Sequence, residues 1–460
     1  MVLQHGILRV GIANEDSRDP VFTYLKSIDL REMIEWKEIA SSGPDAYMQN
    51  LLRSTEAQHD KLWEDLQRKP GWKLIVHQNN QQNEAGKVKL DISFAFHHAY
   101  ADGQSAFIFH RDLLRALNSA VSTPEVLQDH VLHLTEQPKL PAGSEVIVPF
   151  ITSWPYLLKL IWSEIVWKNF VPSWMKSKPD PETIPWTGNS INPEPHKANL
   201  RLVFVPQEVL TSLLSACREH RVTLTPLLHA LVLASLASRL PPDIAPAYNF
   251  STAISLRRFT KPEFDRDNAL HCLVTGHQHL AGAPTVSELR TAFLGNRGNG
   301  PLAADSLIWS TAAKIGASLH ARVNTLPKDD IAGLTGMVSD WRERWIGQFG
   351  KKRDVTWECS NAGSIKAGDV RGPEGLEHAW QIERSIFSQG ATPVGSAFGL
   401  NVAGVEGKGL WMVVNWQETT IETPLMEGLA KDLQMWMDAF GSGGRFGVLD
   451  REVEKGHSLH

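Results

Sequence analysis

Phe96-His97-His98-Ala99-Tyr100-Ala101-Asp102-Gly103 is the stretch that organises the chain. Upstream, Val88, Leu90, Ile92, Phe94 and Phe96 alternate with Lys89, Asp91, Ser93 and Ala95, the period-two pattern of a strand with one apolar face. Downstream, Ala106, Phe109, Leu113 and Ala116 or Leu117 recur at helical spacing. Gly103 marks the switch, where a tight turn or a close backbone approach is expected. Asp102 falls at the helix start, where a carboxylate meets unpaired backbone N–H groups. The stretch therefore reads as strand, short loop, helix.

Histidine is the natural general base near neutral pH, since one ring nitrogen accepts a proton while the other donates. His98, leaving a buried strand, has a fixed backbone position and a route to a cavity. Asp102 either orients His98 directly or locks the loop by pairing with an arginine elsewhere; the short turn into a helix favours the second role. The plainer alternative makes His97 and His98 polar residues at a strand end and Asp102 a simple helix cap. A metal site is disfavoured. His97 and His98 point oppositely in a strand, and HExxH, paired-cysteine, Walker and dinucleotide-glycine patterns do not occur.

Composition narrows the classes. The 460 residues exceed one ordinary core and suit two large domains. Hydrophobic residues at 42% and charged residues at 21% are those of a folded soluble protein. A formal charge of −5 without a Lys/Arg-rich run argues against nucleic-acid binding. Cys217, Cys272 and Cys359 are odd in number and far apart, which fits a reducing compartment and points to a cytoplasmic protein. The N-terminus shows no basic region leading into a long apolar run, hence no visible secretory signal. The most apolar segment, residues 151–170, is interrupted by Lys159, Glu164 and Lys168, which argues against a bilayer-spanning helix. Burial of one face of a helix is expected there, with a lid or peripheral membrane contact as the alternative. The 16 tryptophans suit either cavity walls or core filling.

Further strands are expected at Leu8–Ile12, Trp72–Gln78, Ala198–Val205, Phe250–Arg257, Thr356–Cys359, Ala397–Val405 and Leu410–Trp416. Helices are expected after Pro206, over Thr225–Ala237, Leu307–Val323 and Pro424–Phe440. The proline-rich stretch from Pro172 to Pro195 reads as a linker. The domains are then 1–175 and 198–460, joined by 176–197, in an α/β chain with mixed sheets flanked by helices.

His97-His98-Ala99-Tyr100-Ala101-Asp102-Gly103 resembles the HHxxxDG motif of the CoA-dependent acyltransferase superfamily, which includes chloramphenicol acetyltransferase, plant BAHD acyltransferases and condensation domains. Leu8–Ile12, Val222–Ala230, Ile254–Arg258, Ser360–Gly363 and the closing strand–helix region resemble its fungal alcohol O-acetyltransferase branch. The resemblance covers most of the chain. It implies two chloramphenicol-acetyltransferase-like domains with a tunnel between them, the first lacking its first strand and helix, since relatives carry such a segment before the part matching Leu8. It implies His98 as the catalytic histidine and Asp102 as a structural residue paired with an arginine, for which Arg257 is the candidate, with Arg258 behind it. His97 and Gly103 are supporting positions, and Ser360 and Asn361 match part of a late motif near the tunnel. No tightly bound cofactor is implied. Acetyl-CoA or another acyl-CoA would be the cosubstrate, a small hydrophobic alcohol such as a secondary metabolite the acceptor, and a monomer suffices. A condensation-like enzyme taking a carrier-protein thioester and a non-catalytic ligand-binding protein on the same fold are the competing readings.

Overall fold

Period-two apolar runs and helical stripes along this chain build two lobes. A computed structural model describes residues 1–40, 43–78, 88–119, 124–163, 171, 183–294, 300–366, 379–390 and 393–446. The first lobe carries β1 (Val10–Ala13), β2 (Val21–Tyr24), β3 (Ser27–Asp29), β4 (Ile34–Glu38), helix α1 (Pro44–His59), β5 (Trp72–Gln78), β6 (Leu90–Phe96), helix α2 (Gly103–Leu117), β7 (Leu127–Gln128), β8 (Val131–His133) and helix α3 (Trp154–Ile161). Its central sheet runs β4-β5-β6, with β4 parallel and β6 antiparallel to β5. Its core gathers Leu8, Val10, Ile12, Trp72, Phe94, Tyr100 and Phe109. Two buried polar tips anchor the start of the chain there: Trp72 Nε1–H donates to Leu8 O (2.9 Å) and Tyr100 O–H to Val10 O (3.1 Å). Leu8 and Arg9 lie in a 3₁₀ turn, so the strand expected from Leu8 starts two residues later.

The second lobe carries β9 (Ala198–Pro206), α4 (Gln207–Glu219), α5 (Leu224–Arg239), β10 (Tyr248–Ser255), β11 (Val274–Ala281), α6 (Ala283–Leu294), α7 (Gly300–Thr325), β12 (Trp357–Ile365), β13 (Phe398–Val405), β14 (Gly409–Gln417) and α8 (Thr423–Gly443). The sheet order is β11-β10-β12-β13-β14-β9, parallel at the two contacts of β12 and antiparallel elsewhere. Every residue of β13 and β14 is buried, so these strands lose alternation and read as mostly apolar runs, with the buried amides of Asn401 and Asn415 paired to each other. Pro226 sits in the first turn of α5, where a missing N–H costs nothing, and the residues from Pro226 to Ser238 are all buried.

Three features differ from expectation. The apolar face of β6 is only half-buried apart from Phe94, because it faces a cleft rather than a closed core. No residue of α3 is fully buried: Trp154 is 75% exposed and Leu158 61%, and Tyr156, Leu157 and Leu160 on the other face are half-buried, so the expected hidden face is only partly covered among the described residues. Residues 164–170 of that segment lie outside the described residues. β11 went unpredicted because its alternation, Val-Thr-Gly-His-Gln-His-Leu-Ala, is mostly polar. The described part of the proline-rich stretch is held against the second lobe: Ile191 N–H donates to Lys351 O (2.8 Å) and Asn189 N–H to Thr420 O (2.9 Å).

Candidate active site

α2 begins on Asp102, whose carboxylate caps the Ser105 N–H (2.8 Å) while the Ser105 hydroxyl returns toward the Asp102 N–H (3.3 Å), a reciprocal capping box. The cap does more than start a helix. Arg257, in the turn after β10, reaches Asp102 Oδ1 from Nη2 (3.1 Å), and Leu273 N–H donates to Oδ2 (3.1 Å). The same guanidinium donates to the carbonyls of Arg266 (2.8 Å), Ala269 (2.9 Å) and His271 (3.0 Å) and to Ser105 Oγ (2.8 Å). Ser105, fully buried, also accepts from His271 N–H (3.1 Å). Its single proton serves either Asp102 Oδ1 (2.7 Å) or His271 O (3.0 Å). This buried cluster pins the first lobe to the 257–273 segment of the second. Arg258 stays outside it, stacked over Phe259.

His97 and His98 follow directly on β6. His97 is tied locally: its N–H donates to Gly71 O (2.8 Å) and its Nδ1 accepts from Ala99 N–H (3.1 Å). Burial, then the neighbouring His98 charge, pushes its imidazole below the ordinary value. His98 is exposed to the cleft, and its Nδ1 lies 3.5 Å from Cys272 Sγ. Asp102 is turned away from it into the Arg257 cluster, so the geometry gives that carboxylate the loop-locking arrangement. Gly103 allows close packing: a Cβ there would stand 3.3 Å from Phe387 and 3.4 Å from Ala362.

The cleft measures about 2620 Å³ and lies between the lobes. Leu74, Phe94, Phe96 and Leu113 form its floor on one side, Leu202, Phe204 and Trp411 face it from the other, and a strap of residues 379–390 closes a wall with Trp380, Ile386 and Phe387. His97 and His98 are polar groups in this mostly apolar lining.

On β12 the side chains of Trp357 and Cys359 enter the second core, while Glu358 and Ser360 alternate with them and are half-buried. Glu358 accepts from Ser251 Oγ (3.2 Å). Burial pushes its carboxyl up, an effect opposed by the Ser251 hydrogen bond and the charge of His98. Asn361 is spent locally: Nδ2 donates to Thr225 Oγ1 (3.1 Å) and Oδ1 accepts from Gly363 N–H (2.9 Å), fixing the irregularity between Asn361 and Gly363. Gln104 donates to Ala362 O, a second stitch between α2 and β12.

Sequence reasoning missed Ser105, Cys272 and Glu358. Ser105 had a signal, since an acceptor three residues after an N-cap aspartate completes a capping box. Glu358 had a weak one, as the lone charge in its strand. Cys272 had none, because only tertiary structure brings it to His98. Among the described residues no group of three or more His, Cys, Asp or Glu side chains is arranged to hold a metal.

Known proteins resemble this arrangement in sequence and in fold. The chain is 29% identical over 455 residues to the probable alcohol acetyltransferase FCK4 of Fusarium pseudograminearum, covering 97% of this chain and 86% of that protein. It is 24% identical over 456 residues to the probable alcohol acetyltransferase crmB of Aspergillus fumigatus, covering 96% and 89%. Among solved structures, the trichothecene 15-O-acetyltransferase TRI3 of Fusarium sporotrichioides superposes with a TM-score of 0.63 at 11% identity, over 93% of this chain and 83% of that one. The condensation domain of the monacolin K polyketide synthase MokA gives 0.54 at 11%, over 96% and 87%. At such identities these structures speak for the two-lobed fold alone. The sequence profile of alcohol acetyltransferases matches residues 24–269, more than half of the chain and the part that includes both His98 and Arg257. With the two-lobed architecture and that match together, the chain belongs to the alcohol acetyltransferase family and is an acyltransferase.

Proposed function

We propose that this acyltransferase moves an acetyl group from acetyl-CoA to a hydroxyl of a small hydrophobic alcohol, of the kind found among secondary metabolites. The observation that carries the reading is the His98 imidazole at the end of β6, exposed to an apolar cleft between the lobes. In this scheme Nε2 of His98 takes the alcohol proton as the oxygen attacks the thioester carbonyl. Hydrogen-bond donors then stabilise the tetrahedral oxyanion; the late-motif resemblance makes Ser360, which stands behind the residues lining the cleft, the candidate donor. Collapse expels the CoA thiolate, which His98 reprotonates. Asp102 and Arg257 act through the loop they lock, without touching substrate. No acyl-enzyme is needed, and Cys272, Cys217 and Cys359 are held as thiols by burial. The free cysteines suit a reducing, cytoplasmic setting, and one chain supplies both walls of the cleft, so we propose a monomer.

The test is release of free thiol from acetyl-CoA across a panel of metabolite alcohols, with the ester identified by mass. His98→Ala should lower turnover by about 10²–10⁴ while the melting temperature stays near that of the parent. Undiminished transfer by the folded variant would overturn the assignment. Transfer from an acyl carrier protein but not from acetyl-CoA would instead favour the condensation-like reading.

A further inference from the structure

Proton placement on His98 depends on what stands beside its second ring nitrogen. A histidine that accepts at Nε2 needs its Nδ1–H directed at an acceptor, because the hydrogen bond made by one ring nitrogen fixes the state of the other. In the imidazolium formed during transfer both nitrogens carry protons, so whatever stands beside Nδ1 must accept. Cys272 Sγ stands there, at 3.5 Å.

That placement is built rather than incidental. Both residues flanking Cys272 are gripped by the Asp102 cluster. His271 donates its N–H to Ser105 Oγ and accepts from Arg257 at its carbonyl, and Leu273 donates its N–H to Asp102 Oδ2. Leu273 is itself fully buried. The backbone on either side of Cys272 therefore has no freedom to carry the sulfur away from the ring.

We propose that Cys272 is a positioning residue for His98, its sulfur accepting the Nδ1–H and so holding Nε2 as the nitrogen that takes the alcohol proton. The Asp102–Arg257 cluster then serves catalysis by delivering this sulfur, and not merely by holding a loop. The inference rests on the reading of His98 as the base. Burial, with the Asp102 charge in the same direction and Arg257 opposed, pushes the thiol up to about 12, so the sulfur stays a neutral acceptor through the working range. Among the described residues, His97 on its own strand end and Glu358 on β12 are titratable groups that feel the charge of His98. Asp102 and Arg257 face Cys272 from behind. All four remain in place when Cys272 is changed.

The experiment compares kcat, KM for acetyl-CoA and the pH profile of kcat/KM for the full chain and for Cys272→Ala, Cys272→Val and Cys272→Ser. Alanine and valine remove the acceptor; serine keeps one. Losing the acceptor should lower kcat about tenfold, leave KM for acetyl-CoA unchanged and move the acid limb to lower pH, because the imidazolium loses a partner. Serine should bring the limb back toward that of the parent. A purely packing role would reduce folded protein, seen as a lower melting temperature, without moving the limb. If alanine or valine folds and retains the parental kcat and limb while His98→Ala is inactive, the inference falls and the base assignment stands. If His98→Ala turns over normally, the base assignment itself falls.

Discussion

Removing the Asp102 carboxylate would strand Arg257, a guanidinium whose side chain is only 10% exposed, beside an unanswered Leu273 N–H and a helix without its cap. Breaking a buried pair from one side costs about 3–5 kcal/mol. Asp102→Ala should therefore lose stability on that scale in urea denaturation, and turnover should fall with it. An unchanged midpoint would show that the pair contributes nothing. At this scale the sequence was informative where partners are adjacent and mute where they are not. Asp102, Gly103 and the helix start could be read from spacing alone, and Arg257 entered through the family resemblance. Cys272 and Glu358 lie far along the chain in segments whose local pattern says only strand or loop, so the fold alone brings them beside His98.

Elements β12, α5, β10 and β11 are tied by a one-way chain of neutral donors and acceptors. The Trp357 indole N–H, which can only donate, reaches His229 Nδ1 (2.9 Å). His229 Nε2–H must then donate to Thr252 Oγ1 (2.8 Å), and the Thr252 hydroxyl donates to His279 Nε2 (3.0 Å). Burial holds His229 well below the ordinary value, and burial followed by the neighbouring His277 lowers His279 to about 4. The unfolded imidazole of His279 titrates near 6.5 and the folded one near 4, so between those values the unfolded chain binds more protons. The contribution of His279 to stability should be flat above that window, fall as pH drops through it, and level off below. His279→Gln should show a shallower acid slope than the parent in pH-dependent denaturation; an identical slope would place the titration elsewhere. Element identity was legible wherever apolar residues keep their period, as in β6, α5 and α8. β11 escaped because the polar partners that satisfy it, His279 and Thr275 among them, conceal its alternation.

Across the whole molecule, two ionic contacts among those that join the lobes flank the cleft. Near His98 the Asp102–Arg257 cluster does the joining; at the far wall of the cleft Arg384 makes a two-pronged contact with Asp91 of β6, whose carboxylate also accepts from Tyr47 O–H (2.6 Å). This second pair holds the 379–390 strap, helped by Asn118 on Trp380 and His59 on Ser388. Arg384→Met should free the strap, hasten limited proteolysis within 379–390 and raise KM for the alcohol severalfold, with kcat nearly retained. Equal proteolysis and KM would mean that the strap is held by its other contacts, without need of the Arg384–Asp91 pair. The two-lobed α/β plan was legible because its motif and strand order run the length of the chain. The strap was not, since residues 379–390 have no regular period and acquire their place from isolated long-range polar contacts.

The interlobe space has a consequence for what the enzyme can tell apart. Binding pockets for drug-sized ligands are commonly about 300–1,000 Å³, and about 2620 Å³ is ample for a multi-ring guest. On the function proposed above, so roomy a chamber would not grade molecules by bulk. It would choose among the hydroxyls of one guest, acylating whichever oxygen its tilt against the aromatic walls brings within reach of the imidazole, so that regiochemistry rather than size becomes the currency of selection.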